Sequence, residues 1–176
     1  ELIIVDDMST DTSVATIKSY NDNRIHLIQN KRKRCNGGSR NVGIEYVLDN
    51  IEFDYFVFLD SDDWYKDENV LSKINSKLYN CELMTLGCEG IGIPYKHYNR
   101  ADCYEDLYSL NGKVWCTAWA RVIRKDRIVY FCEDTLMEDR VWTYRLADNI
   151  DFNNVINLNE YVYCWNTTNT NNRSSI

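Results

Sequence analysis

"YFVFLDSDDWYKDE", residues 55–68, drives an apolar run into three aspartates, Asp60, Asp62 and Asp63. Like charges a few ångströms apart raise one another's pKa, so such a turn is unfavourable unless a cation or ligand compensates it. The uninterrupted apolar run before the turn is how a strand covered on both faces reads. "ELIIVDD" at 1–7 and "RIHLI" at 24–28 have the same form. Between these runs lie helical patterns, the first from about Ser13 to Tyr20 behind the turn "DDMSTDTS". A second follows "CNGGSRN", with Ile44, Val47, Leu48 and Ile51 at helical spacing, and a third covers about Asn69 to Tyr79, with Val70, Leu71, Ile74 and Leu78 on one stripe. Alternating strands and helices predict an α/β domain with a mostly parallel sheet flanked by helices.

After residue 80 the alternation is lost. "LMTLGCEGIGI" (83–93), "VWCTAWARVIRK" (114–125) and "NEYVYCWN" (159–166) read as strands of a mixed region. "MEDRVWTYRLAD" (137–148) reads as a short helix with Val141, Tyr144 and Leu146 inward. One domain is expected over 1–165, followed by a flexible, almost wholly polar tail at 166–176.

Composition narrows the function. The chain has 176 residues, of which 44% are hydrophobic and 13% aromatic, enough for a globular core. A net charge of −7 argues against gripping nucleic acid through phosphate contacts. Only Lys31–Arg34 is locally basic, and a charge run of that kind reads as a solvated loop. The 7 cysteines contain no C-x-x-C pair, so neither a zinc framework nor a disulfide scaffold is indicated, and reduced thiols in the cytoplasm are expected. No apolar stretch is long enough for a transmembrane segment. A single proline among many Asn, Tyr and Lys residues points to an AT-rich genome, such as that of a phage or virus.

In an open α/β sheet, ligands sit outside the carboxyl ends of the parallel strands. Asp6 and Asp7 end one strand and Asp60 to Asp63 end another, so adjacency of these strands would line one crevice with both acid groups. Clustered carboxylates supply hard oxygen ligands for Mg²⁺ or Mn²⁺, which completes its shell with water and substrate phosphates. A calcium loop of EF-hand type is excluded, because Trp64 and Tyr65 stand where an oxygen ligand and glycine are required.

Taken in order, "ELIIVDDMSTD", "GGSRNVGI", "YFVFLDSDDW", "WARVIRKDRI", "MEDRVW" and "YVYCWN" followed by "RSSI" resemble glycosyltransferase family 2. The resemblance implies a GT-A fold, inverting transfer from a nucleotide-diphosphate sugar, a UDP-sugar in the first instance, and a Mn²⁺ or Mg²⁺ cofactor. Asp7, with Asp6 beside it, resembles the acid that contacts the nucleotide base, and Arg40 resembles the arginine near the nucleotide. Asp60 and Asp62 resemble the D-x-D motif, the first approaching ribose or metal and the last holding the metal, with Asp63 placed to share either task. Asp139 resembles the catalytic base, and Arg173 in the tail would add a positive contact. Family members carry an earlier strand and helix before the "IIVDD" strand, so an upstream segment is expected. The acceptor is left open among a glycan, a protein and a modified DNA base.

Blander readings exist for each residue. Asp6 and Asp7 would serve as caps of the next helix, and Glu138 and Asp139 as acids favoured at a helix N-terminus. Trp115, Trp119, Trp142 and Trp165 read as core, whereas Trp64 beside the acids reads as lining the site. The alternative function from another class is a non-catalytic sugar-nucleotide or glycan-binding module, including a decayed glycosyltransferase.

Overall fold

The computed structural model describes residues 1–32, 35–108 and 117–168. They fall into two compact units, one of residues 1–53 and 129–142, the other of 54–128 and 143 onward. Arg173 and the rest of the expected tail beyond residue 168 lie outside the described residues, as do Trp115, Lys33 and Arg34.

In the first unit, β1 (Leu2–Asp6) pairs in parallel with β2 (Ile25–Gln29), joined by α1 (Ser13–Ser19). The pairing runs from Leu2↔Ile25 to Asp6↔Gln29, so both strands end together and place Asp6, Asp7 and Asn30 at one edge. Next comes α2 (Asn36–Asn50), which starts inside the glycine-rich segment and not after it. Its buried residues are Gly37, Gly38, Asn41 and Ile44, whereas Leu48 is exposed. The inward face therefore keeps Ile44 of the expected aliphatic stripe, with Val47 and Ile51 half-buried, but its first turns are buried through Gly37, Gly38 and Asn41 instead. The reason is close packing: a Cβ on Gly37 would lie 3.0 Å from the Cys132 carbonyl oxygen and 3.2 Å from the Phe131 Cβ.

The second unit is built on a mixed sheet in the order β3 (Tyr55–Val57), β7 (Arg121–Arg124), β5 (Leu83–Ile91), β8 (Val155–Asn166), β4 (Trp64–Tyr65), with β6 (Tyr95–Tyr98) on β5. β5 and β8 run parallel; the other pairs are antiparallel. α3 (Val70–Lys77) covers the sheet with Val70 and Ile74, while Leu71 of the expected stripe is 56% exposed. α4 (Tyr104–Tyr108) is one short turn, and α5 (Glu138–Ala147) begins in the first unit and ends in the second. The buried positions of α5 are Trp142, Thr143, Leu146 and Ala147, so Leu146 faces inward as expected but Val141 and Tyr144 are only half-buried. Trp119 and Trp142 are core, as the residue type favours.

One buried charge organises the second unit. Glu82 is 3% exposed, and its Oε1 accepts from Arg127 at 2.7 Å and Arg124 at 3.3 Å while Oε2 accepts from the Asp151 N–H at 2.8 Å. Removing one partner of a buried ion pair costs about 3–5 kcal/mol, and the two arginines, partly exposed, can rehydrate. Glu82→Ala is therefore expected to lower stability by about 3 kcal/mol, read as a reduced urea midpoint at unchanged slope. A midpoint equal to that of the parent would show that the arginines, not the carboxylate, hold this corner.

Candidate active site

The first unit presents its acids on fixed backbone. Asp6 is buried and its Oδ1 accepts from the Ser9 N–H at 3.1 Å, closing a turn in which Met8 has a φ of +61°. A long side chain in the left-handed region is uncommon and marks a turn over-determined by its surroundings. Asp7 accepts from Asn30 Nδ2 at 2.7 Å, and the same nitrogen donates to Ser39 Oγ at 3.2 Å. Asn30 is 2% exposed, and its Oδ1 accepts from the Arg32 N–H. Neither acid caps α1, whose N-cap is Thr12; the acid beside that helix end is Asp11, which accepts from the Ser13 N–H. The capping reading thus gives way to a turn that holds two carboxylates at the end of β1.

Arg40 and Asp139, expected to serve the nucleotide and the acceptor respectively, are direct partners. Arg40 Nη1 donates to Asp139 Oδ1 at 2.6 Å and lies 3.6 Å from Glu138 Oε1. The guanidinium sits over the Phe131 ring at 5.2 Å, and that ring stacks on Trp142 at 4.9 Å. Trp142 is anchored in turn by Nε1 donating to the Val129 carbonyl at 2.9 Å. Asn41 grips the same segment from α2. Its Nδ2 donates to the Phe131 carbonyl and to Glu133 Oε1, and its Oδ1 accepts from the Phe131 N–H at 2.8 Å. Arg32 adds a bridge, donating to Glu45 and Glu133, so at least this member of the basic run is bound to acids of its own unit. The start of α5 is therefore held to α2 by Arg40, and the segment before it, at Phe131 and Glu133, by the adjacent Asn41.

Asn30, Asn41 and Glu133 were not among the residues singled out from sequence. Asn41 follows Arg40 in "SRNVG", and an amide one residue from a candidate site arginine is the signal that points to it. Asn41→Ala is expected to orphan the buried Phe131 N–H and C=O. At about 1–3 kcal/mol per unsatisfied group, the loss lowers the melting temperature by roughly 5–20 °C in a domain of this size. A melting temperature within a degree of the parent would show that the 131–139 segment is held by other contacts.

In the second unit, the D-x-D turn leads from the end of the β3 run into β4. The Asp63 N–H donates to the Asp60 carbonyl at 3.1 Å, and Trp64 and Tyr65 then pair with Cys164 and Tyr163 of β8. Asp60, Asp62 and Asp63 are half-buried, and Trp64 is 42% exposed beside them. Asp63 differs from the other two. Its Oδ2 accepts from the Tyr163 hydroxyl at 2.6 Å and its Oδ1 from the Asn166 N–H at 2.8 Å. Burial pushes the Asp63 carboxyl up to about 6, the charges of Asp60 and Asp62 adding to the rise while the two hydrogen bonds oppose it. The Tyr163 hydroxyl is pushed well above its ordinary value, chiefly by burial.

Among the described residues no group of three His, Cys, Asp or Glu side chains is gathered to hold a metal ion. The turn therefore does not fit an all-protein cage. The donor set is compatible in type with Mg²⁺ or Mn²⁺, which Asp60 and Asp62 would hold through one or two carboxylates, substrate phosphates and water supplying the remaining ligands.

A family model described as glycosyl transferase family 2 matches residues 1–132, three quarters of the chain. The chain belongs to glycosyltransferase family 2. This family-2 chain is 24% identical to the poly(ribitol-phosphate) β-N-acetylglucosaminyltransferase TarS of Staphylococcus aureus, over 93% of its own length and 30% of that protein's. It is 27% identical to a poly(ribitol-phosphate) β-glucosyltransferase of Bacillus spizizenii, over 81% of its length and 24% of that protein's. An uncharacterized glycosyltransferase of Haemophilus influenzae is 35% identical over 49% of the chain and 34% of that protein. The chain thus spans between a quarter and a third of the length of these curated relatives. The crystal structure of TarS residues 1–349 superposes with a TM-score of 0.74 at 20% identity, covering 94% of this chain and 51% of that one. The same region of TarS in complex with UDP gives 0.72 at 19% identity. The fold is accordingly the α/β GT-A fold, with the mixed strands expected for the second half.

Proposed function

We propose that this chain supplies the donor site and the base of an inverting glycosyltransferase that moves a sugar from a UDP-sugar to an acceptor hydroxyl. The observation that carries the reading is Asp139 at the start of α5, held at 2.6 Å by Arg40 inside a family-2 chain. A carboxylate fixed in this way can take the proton of an acceptor hydroxyl within about 2.6–3.2 Å. As that proton leaves, the acceptor oxygen forms a bond to the anomeric carbon from the face opposite the diphosphate. The bond from that carbon to the diphosphate oxygen breaks, and the electron pair leaves with the nucleoside diphosphate. Arg40 keeps the carboxylate in place, and Asp7, with Asp6 beside it, offers an acceptor to the donor's base. Asp60 and Asp62 would hold Mn²⁺ or Mg²⁺, which neutralises charge gathering on the departing diphosphate.

UDP is the nucleotide of choice because a fold neighbour was solved with it. Poly(ribitol-phosphate), named for two relatives, is the first acceptor to try, ahead of proteins and modified DNA. We place the reaction in the cytoplasm, in keeping with the free thiols of the six described cysteines. No helix among the described residues is long and apolar enough to cross a membrane. The test is UDP release from a panel of UDP-sugars with Mn²⁺, with and without poly(ribitol-phosphate). Acceptor-stimulated release from one donor supports the reading. Binding of UDP without turnover of any donor would instead identify a sugar-nucleotide binding module.

A further inference from the structure

Asp63 is spent on the protein itself. Its two oxygens accept from the Tyr163 hydroxyl and the Asn166 N–H, and the same hydroxyl lies 3.3 Å from the Asp60 N–H, which donates to it. One phenol oxygen therefore joins both ends of the Asp60–Asp63 turn. The position of that oxygen is set by the core and not by the turn. Tyr163 is fully buried, stacks on Trp119 at 4.6 Å with the rings within 10° of parallel, and meets Tyr65 edge-on. An irregularity in the β5–β8 register delivers it there: pairing passes from Leu86↔Leu158 to Gly87↔Tyr161 and Cys88↔Tyr163. Only glycine fits at the shift, since a Cβ on Gly87 would lie 2.6 Å from the Glu160 carbonyl oxygen.

We infer that Asp63 is a positioning residue and not a cation ligand: with Tyr163 it clamps the turn to β8 and so sets where the Asp60 and Asp62 carboxylates stand. The inference rests on the reading of this turn as a cation and diphosphate site. Ligation by Asp63 would disturb two charge-assisted hydrogen bonds and loosen the backbone that carries its neighbours. Outer partners that orient ligands typically change metal affinity by about 10–100-fold when removed.

The experiment compares Tyr163→Phe, Asp63→Asn and the double variant with the parent chain, using Mn²⁺ with UDP as the probe. Tyr163→Phe keeps the ring in its stack and deletes only the hydroxyl. Amide exchange across 60–63 reads the clamp, and free Mn²⁺ measured by electron paramagnetic resonance in the presence of UDP reads its consequence. Each single variant is expected to speed exchange in the turn and to weaken Mn²⁺–UDP binding by about tenfold. The double variant should lose little more than either single one, because both act on one hydrogen-bond network. Unchanged exchange in Tyr163→Phe overturns the clamp. Abolished Mn²⁺ binding in Asp63→Asn beside normal binding in Tyr163→Phe makes Asp63 a ligand and also overturns it. A parent chain that binds no Mn²⁺–UDP, with exchange responding as expected, overturns the donor-site reading and with it the positioning role, an outcome distinct from both others.

Discussion

Asp139→Asn is expected to lower glycosyl transfer by about 10²- to 10⁴-fold, the usual contribution of a positioned general base. The amide has nearly the shape of the carboxylate and keeps an oxygen for Arg40 Nη1, which now holds Asp139 at 2.6 Å. Geometry is thus largely preserved while the proton acceptor is removed. The loss should fall on turnover, with the UDP-induced rise in melting temperature left within a degree of the parent. Transfer within tenfold of the parent would exclude Asp139 as the base. Attention would then move to Glu138, whose Oε1 lies 3.6 Å from the same guanidinium.

The second large effect belongs to the D-x-D turn. On the proposed reading, Asp62→Ala removes one of the two carboxylates, Asp60 and Asp62, that would hold the cation while Asp63 accepts from Tyr163 and Asn166. A cation at a breaking bond to diphosphate is worth several kcal/mol, so turnover should fall by roughly a hundredfold or more. The Mn²⁺ dependence of UDP binding should vanish with it. Glu68→Ala, an exposed acid a few residues on, is the matched control and should change neither quantity. Mn²⁺-dependent UDP binding that survives in Asp62→Ala would place the cation elsewhere or remove it from the reaction.

How much of this was legible beforehand differs between elements. β1 and β2 are visible because continuous apolar runs closed by charged or polar residues read as strands, although the apolar residues of both are half-buried or exposed and not covered on both faces as the runs suggest. The sequence pattern starts α2 too late because Gly37 and Gly38 read as loop residues, given their weak helix propensity. They are helical because the first turn of α2 packs directly against Phe131 and Cys132, where a side chain has no room. α5 showed the same limit. Its pattern gives Val141 and Tyr144 as inward beside Leu146, but the buried face is Trp142, Thr143, Leu146 and Ala147, because Trp142 stacks on Phe131 and Thr143 accepts from the buried Arg121, contacts that spacing alone does not reveal.

The sequence by itself determined the family and the α/β fold class, because motif order and apolar periodicity are local patterns; it also offers Asp6, Asp7, Asp60, Asp62 and Asp139 as candidate site acids. Only the tertiary structure decided their partners. Arg40 and Asp139 are separated by 99 positions and Asp63 and Tyr163 by 100, yet each pair is joined by a hydrogen bond of 2.6 Å. Which donor a carboxylate meets depends on packing such as the Trp119–Tyr163 stack and the irregular β5–β8 register, and no spacing along the chain encodes that.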